Sequence, residues 1–252
     1  MLITTRNNIF TSTLPPSGRK KTVPFGLAYC LIFFLSIEPL SAQSNKILNI
    51  NFQPYYGDSI LQLNDTVYKS ENGTAIQIET FKCYISGIEL LNKEQVVFSE
   101  KNSFHLLDAS ELKSLSIPIT TPSTIQYDQI KFNIGIDSLT NVSGAYGGDL
   151  DPTKGMYWTW QNGYINFKLE GKSKICPTKN NEFQFHIGGY QFPNRTMQPI
   201  KLNINESGSL EIRVDLKKLI DSIDLTKQNQ VMSPGKDAVI VSDKALKIFS
   251  IQ

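Results

Sequence analysis

The side chains that could carry chemistry crowd into residues 155–189, GMYWTWQNGYINFKLEGKS…NNEFQFHIGGY. Both tryptophans of the chain, Trp158 and Trp160, lie here, with one of its two histidines, His186. In an extended run, residues two apart share a face, so Met156, Trp158 and Trp160 are expected to line up together. In EFQFHIGG, Phe183, Phe185 and Ile187 take one face, while Gln184 and His186 take the other. A histidine on the polar face before Gly188 and Gly189 can accept a ligand without being buried. The second histidine, His105, stands in NSFHLLDAS beside Phe104 and before Asp108. Each histidine could be a ligand, but each can equally be a strand residue with a satisfied ring. The indoles likewise have other uses, as core filling between two sheets or as a platform on which sugars stack.

Other chemistries find little support. No G-x-S-x-G elbow, H-E-x-x-H helix or recognisable Cys/His spacing occurs. An acid or base near the aromatic face would have to be Glu170 or Asp149, both readily explained as solvated or turn residues. Asp137, Asn141, Asp149 and Asp151 bring oxygen atoms into the long irregular region 138–155 and could hold calcium, although their spacing matches no EF-hand. A loop of that length is usually functional or mobile, and it runs straight into Met156.

These residues must be positioned by strands. Leu48-Ile50-Phe52, Ile130-Phe132-Ile134-Ile136, Ile165-Phe167-Leu169, Ile200-Leu202-Ile204 and Leu210-Ile212-Val214-Leu216 all alternate with polar residues. Each predicts a half-buried strand. Turn residues at 56–58, 71–73 and 205–208 separate them. Many short strands with no βαβ rhythm predict a single-domain, all-β antiparallel sandwich. Two short helices are expected near the C-terminus, at 216–223 and 237–249, although the DAVIVS segment of the second reads equally well as a strand.

The first 42 residues read as a signal peptide. Arg19, Lys20 and Lys21 precede the apolar run FGLAYCLIFFLSI, and Leu40-Ser41-Ala42 offers small residues before a cut at Ala42-Gln43. That leaves 43–252 as the domain, with no second long apolar segment to span a membrane. Cys30 could serve a lipid anchor, but bulky Tyr29 before it argues against this. Arg6, Arg19, Lys20 and Lys21 against Glu38 give the leader +3 of the chain's +2, so the remainder carries −1. Such a balance lacks the basic footprint of a nucleic-acid binder. Cys83 alternates with Phe81 and Ile85 and is expected in the core; Cys176 is expected on a loop. Nothing local joins the two in a disulfide.

The segments YISGIELL, FHLLD, FNIGID, GDLDPTKGMYWTWQNGYINFKLEG and FQFHIGG, in that order, resemble the MbnP-type copper-binding proteins, relatives of CorA and MopE. The likeness runs from about Leu48 to the C-terminus. It implies a β-rich, non-enzymatic protein of the periplasm or cell surface that serves copper acquisition or storage. In such proteins a tryptophan is oxidised to kynurenine by a diheme peroxidase-like partner, MbnH, and joins histidines around copper. Carried onto this chain, the resemblance implies a site of His105, His186 and either Trp158 or Trp160, with Met156 on the same face as a soft contact or packing residue. The family's first-strand histidine has no counterpart, since Gln53, Pro54 and Tyr55 stand there. The alternative is a cell-surface module that holds a glycan or peptide on the paired indoles.

Overall fold

Alternating apolar residues build the strands that the sequence predicts. The computed structural model describes residues 44–161, 163–204 and 210–252. The signal-peptide assignment, Cys30 and the turn at 205–208 fall outside them. In chain order the strands begin with β1 (Asn45–Tyr56), β2 (Ser59–Ile60), β3 (Val67–Lys69), β4 (Ala75–Asn92) and β5 (Gln95–Ser99). They continue with β6 (Phe104–Asp108), β7 (Ser116–Pro122), β8 (Gln129–Ile134), β9 (Tyr157–Trp158) and β10 (Gly163–Lys172). The last are β11 (Glu182–Gly188), β12 (Gln198–Asn203), β13 (Leu210–Asp215), β14 (Gln230–Val231) and β15 (Phe249–Ile251). Three α-helices intervene: α1 (Ser138–Val142), α2 (Leu216–Asp221) and α3 (Lys236–Ala245).

Two sheets face each other. One runs β15-β13-β1-β2, with β7 also on β1. The other runs β12-β8-β4-β10-β11-β14, with β3, β5 and β6 on β4 and β9 on β10. The long β4 therefore organises the larger sheet. Between the sheets lies the main core, where Leu48, Ile50 and Phe52 of β1 meet Phe81, Cys83 and Ile85 of β4 and Phe132 of β8. Phe52 bridges the layers edge-on, 5.5 Å from Phe132 and 6.5 Å from Phe249, the favoured geometry for ring quadrupoles. The span from Ala42 to Gln252 is one compact unit.

Most pairings are antiparallel, as expected, but β1 with β13 and β11 with β14 are parallel. Such pairs need long crossovers, and β13 reaches β1 only after the chain has laid down every strand of the other sheet but β14. The DAVIVS ambiguity resolves to helix. In α3, Ala238, Val241, Ser242 and Ala245 are the buried positions, the i, i+3, i+4, i+7 spacing of a helical stripe. That helix is shorter than expected, because Phe249–Ile251 leaves it as β15 and pairs with β13. Cys83 is in the core as predicted. Cys176, expected on a loop, is also buried, and both thiols are free.

At Gly171, β10 crosses close to β4. A methyl group there would overlap the Gln77 carbonyl oxygen and the Phe183 ring. Gly171→Ala is expected to destabilise the domain by about 1–3 kcal/mol, read as a lower urea midpoint with an unchanged m-value.

Candidate functional site

A second apolar cluster sits on the outer face of the larger sheet. Tyr84 of β4 lies opposite Leu106 of β6, and these join Ile136, Leu150, Met156, Trp158, Tyr164 and Ile165. The segment 138–158 folds over this face as a lid, and polar side chains hold it there. The Tyr84 hydroxyl donates to the Asp149 carbonyl at 3.0 Å, and the Tyr164 hydroxyl to the Leu150 carbonyl at 3.1 Å. Asp149 accepts from the Leu106 amide at 3.0 Å and pairs with Lys154 at 2.7 Å. Asn141 donates to the carbonyls of Ile136 and Asp137 and accepts from the Tyr164 amide. Burial pushes the Tyr84 hydroxyl well above the usual phenol range.

The residues considered for calcium each bond within the protein. Asp137 caps α1 through the Thr140 amide at 2.8 Å, and Asp151 accepts from the Thr153 amide at 2.8 Å. Together with Asp149 and Asn141 they are turn-makers bonded to the protein's own N–H groups. Among the described residues, no three His, Cys, Asp or Glu side chains gather where an ion would sit.

The tryptophans divide. Trp158 lies on β9 and is 7% exposed. Its ring rests on β11, where a methyl at Gly188 would stand 2.6 Å from the indole. Trp160 falls beyond the two-residue strand, in a turn, and is 65% exposed. The expected common face of Met156, Trp158 and Trp160 therefore holds only for the first two. The rings are 5.7 Å apart and tilted by 45°. With one indole buried, they form no flat platform for a sugar or peptide. Met156 is fully buried in the cluster, so it packs there with its sulfur turned away from solvent.

His186 shares its side of β11 with Gly188, two residues on, and so neighbours the Trp158 ring. It is 8% exposed, not open as expected. The imidazole stands opposite Lys168 and reaches diagonally to Glu170, Nε2 to Oε1 at 2.6 Å. That hydrogen bond, with help from Thr80 and the Lys168 ammonium against the cost of burial, holds the Glu170 carboxyl down at about 2. A carboxylate so firmly ionised is poorly suited to act as a general acid near neutrality.

His105 lies elsewhere. On β6 it stands opposite Ile85, a residue of the main core, whereas the adjacent Leu106–Tyr84 pair faces the lid. His186 belongs to the cross-strand row Asp108–Lys82–Lys168–His186. Alternation therefore puts the two histidines on opposite faces of the sheet, with β4 and β10 between their strands. His105 has its own carboxylate, Glu100, at 2.9 Å from Nε2. The fold thus puts His186 on the side of β11 where Trp158 rests on Gly188, with Trp160 next to Trp158, and puts His105 on the other face of the sheet. Neither glutamate partner was assigned from sequence: Glu170 lies on the polar side of its strand, but a diagonal contact requires the β10–β11 register. If Asp149 latches the lid, Asp149→Ala should cost about 1–3 kcal/mol. Hydrogen exchange should then speed at the Leu106 amide, and Trp158 emission should shift to the red.

Comparison with known proteins agrees with this architecture. The family model MbnP matches residues 45–233. Among solved structures, MbnP from Methylosinus trichosporium aligns over 78% of this chain and 88% of its own, with a TM-score of 0.54 and 16% identity. At that identity the likeness speaks for the fold. No curated protein matches the sequence. The chain belongs to the MbnP family.

Proposed function

We propose that this protein is an exported, non-enzymatic copper-binding member of the methanobactin-associated family, acting in copper acquisition or storage at the periplasm or cell surface. One observation carries the choice of site: His186 is fixed by Glu170 on the side of β11 where the Trp158 ring rests on Gly188. With Nε2–H donating to an ionised carboxylate, the lone pair belongs to Nδ1. Metal-binding histidines are commonly braced by a carboxylate in this way.

The donor set fits a low-coordinate copper ion and does not fit a site built on both histidines. An intact indole offers only an N–H donor. Ring-opening to kynurenine would supply an aniline nitrogen that can join one imidazole, and Cu(I) tolerates few ligands. Trp158 is the indole beside His186, while Trp160 is the one that an external oxidase of the MbnH type can reach. Affinity should fall as the imidazole takes up a proton. Export is supported by the leader sequence, and no helix among the described residues is long and apolar enough to cross a membrane.

Copper titration of variants tests the assignment. His186→Ala should abolish binding, Glu170→Gln should weaken it by about 10–100-fold, and His105→Ala should leave it unchanged; equal uptake by wild type and His186→Ala would refute the site. Peptide mass analysis of protein from its native host should find kynurenine at Trp158 or Trp160. Two unmodified indoles would remove the modified ligand.

A further inference from the structure

Beyond the tryptophan turn lies a pocket that the copper reading does not use. It holds about 210 Å³ and is lined by Gln161, Tyr190, Gln191, Phe192, Asn194 and Pro234, with Gly189 at its base. Every lining side chain is uncharged. Among the described residues, the amides of Gln161, Gln191 and Asn194 have no hydrogen-bond partner within the protein. Phe192 stands on the rim at 95% exposure, and Trp160, immediately before Gln161, is 65% exposed.

The walls are fixed in advance by the backbone. The Gly189 carbonyl accepts from the Thr196 amide at 2.9 Å, the Gln191 carbonyl from the Asn194 amide at 2.8 Å, and the Tyr190 carbonyl from the Ser138 hydroxyl at 2.7 Å. Gly189 has φ 137°, and a methyl there would strike the Asn194 carbonyl, so the loop closes tightly because this residue is glycine. With those carbonyls taken, the side-chain amides of Gln161, Gln191 and Asn194 and the Tyr190 hydroxyl are the polar side-chain groups that the lining offers a ligand.

We infer that this pocket binds a neutral carbohydrate. Each amide presents both donors and an acceptor, which suits adjacent sugar hydroxyls that both give and receive hydrogen bonds. The aromatic rim offers flat apolar faces for the C–H side of a pyranose ring. An ionic ligand would find no counter-charge. An extended peptide would need a free row of backbone groups, and the consecutive carbonyls of Gly189, Tyr190 and Gln191 are occupied. The site shares Trp160 and its turn with the copper reading but uses none of its proposed donor atoms.

Isothermal titration of the exported chain against neutral oligosaccharides (cello-, xylo-, manno-, malto- and chito-oligomers) tests this, with oligogalacturonate and an unstructured peptide as contrasts. At least one neutral oligomer should bind, equally with and without a copper chelator, and both contrasts should fail. Phe192→Ala and Gln191→Ala should each weaken binding roughly tenfold without altering copper uptake, and His186→Ala should leave sugar binding intact. Phe192 is almost wholly exposed, so its replacement should not disturb folding, and circular dichroism checks this. Absence of binding by every neutral oligomer, binding indifferent to both substitutions, or preference for either contrast would overturn the inference.

Discussion

The indole of Trp158 lies against bare backbone at Gly188, and the arrangement of the outer face depends on that contact. Only glycine permits a ring to approach the strand so closely. Once seated, the indole closes the apolar cluster under the 138–158 segment. On the same side of β11 the buried His186 imidazole bonds to Glu170, and burial strengthens such a bond, since fewer waters compete for the same atoms. The lid's acidic residues act as fasteners, each accepting from a backbone amide.

The period of the β-strand explains why the histidines cannot cooperate. Side chains alternate between faces, so a one-residue difference in register decides which layer a group enters. Leu106 and His105 are neighbours in the chain, yet they face different layers. The Asp108–Lys82–Lys168–His186 row confirms the sidedness across four strands. Each histidine is instead paired with its own glutamate, so the burial of imidazole is compensated locally on both faces.

Much of the fold was legible because alternation is a local signal: the runs at 48–52, 130–134, 165–169 and 210–214 all became strands. The 237–245 helix was ambiguous because Ala, Val and Ile suit both elements until packing selects a period, and the buried stripe selects the helical one. Parallel pairing of β13 on β1 was not legible, since pairing partners far apart in the chain leave no local trace. At the site, sequence picked out the residue types and the family but not their convergence. The short β9 ends at Trp158 and turns Trp160 outward, which a period-two reading continued too far. Burial of His186 beside Lys168 and Glu170 could not be read from β11 alone, where it sits on the polar side of the alternation. The carboxylates at positions 100 and 170 gained meaning only from register.

The central claim is that copper in this protein rests on His186 alone among the imidazoles. X-ray absorption spectroscopy of the copper-loaded protein addresses it directly, because imidazole scattering counts the histidines at the metal. A single imidazole per copper is the predicted result. Two imidazoles per copper would contradict the account, since the sheet would then have to bring both of its faces to one ion.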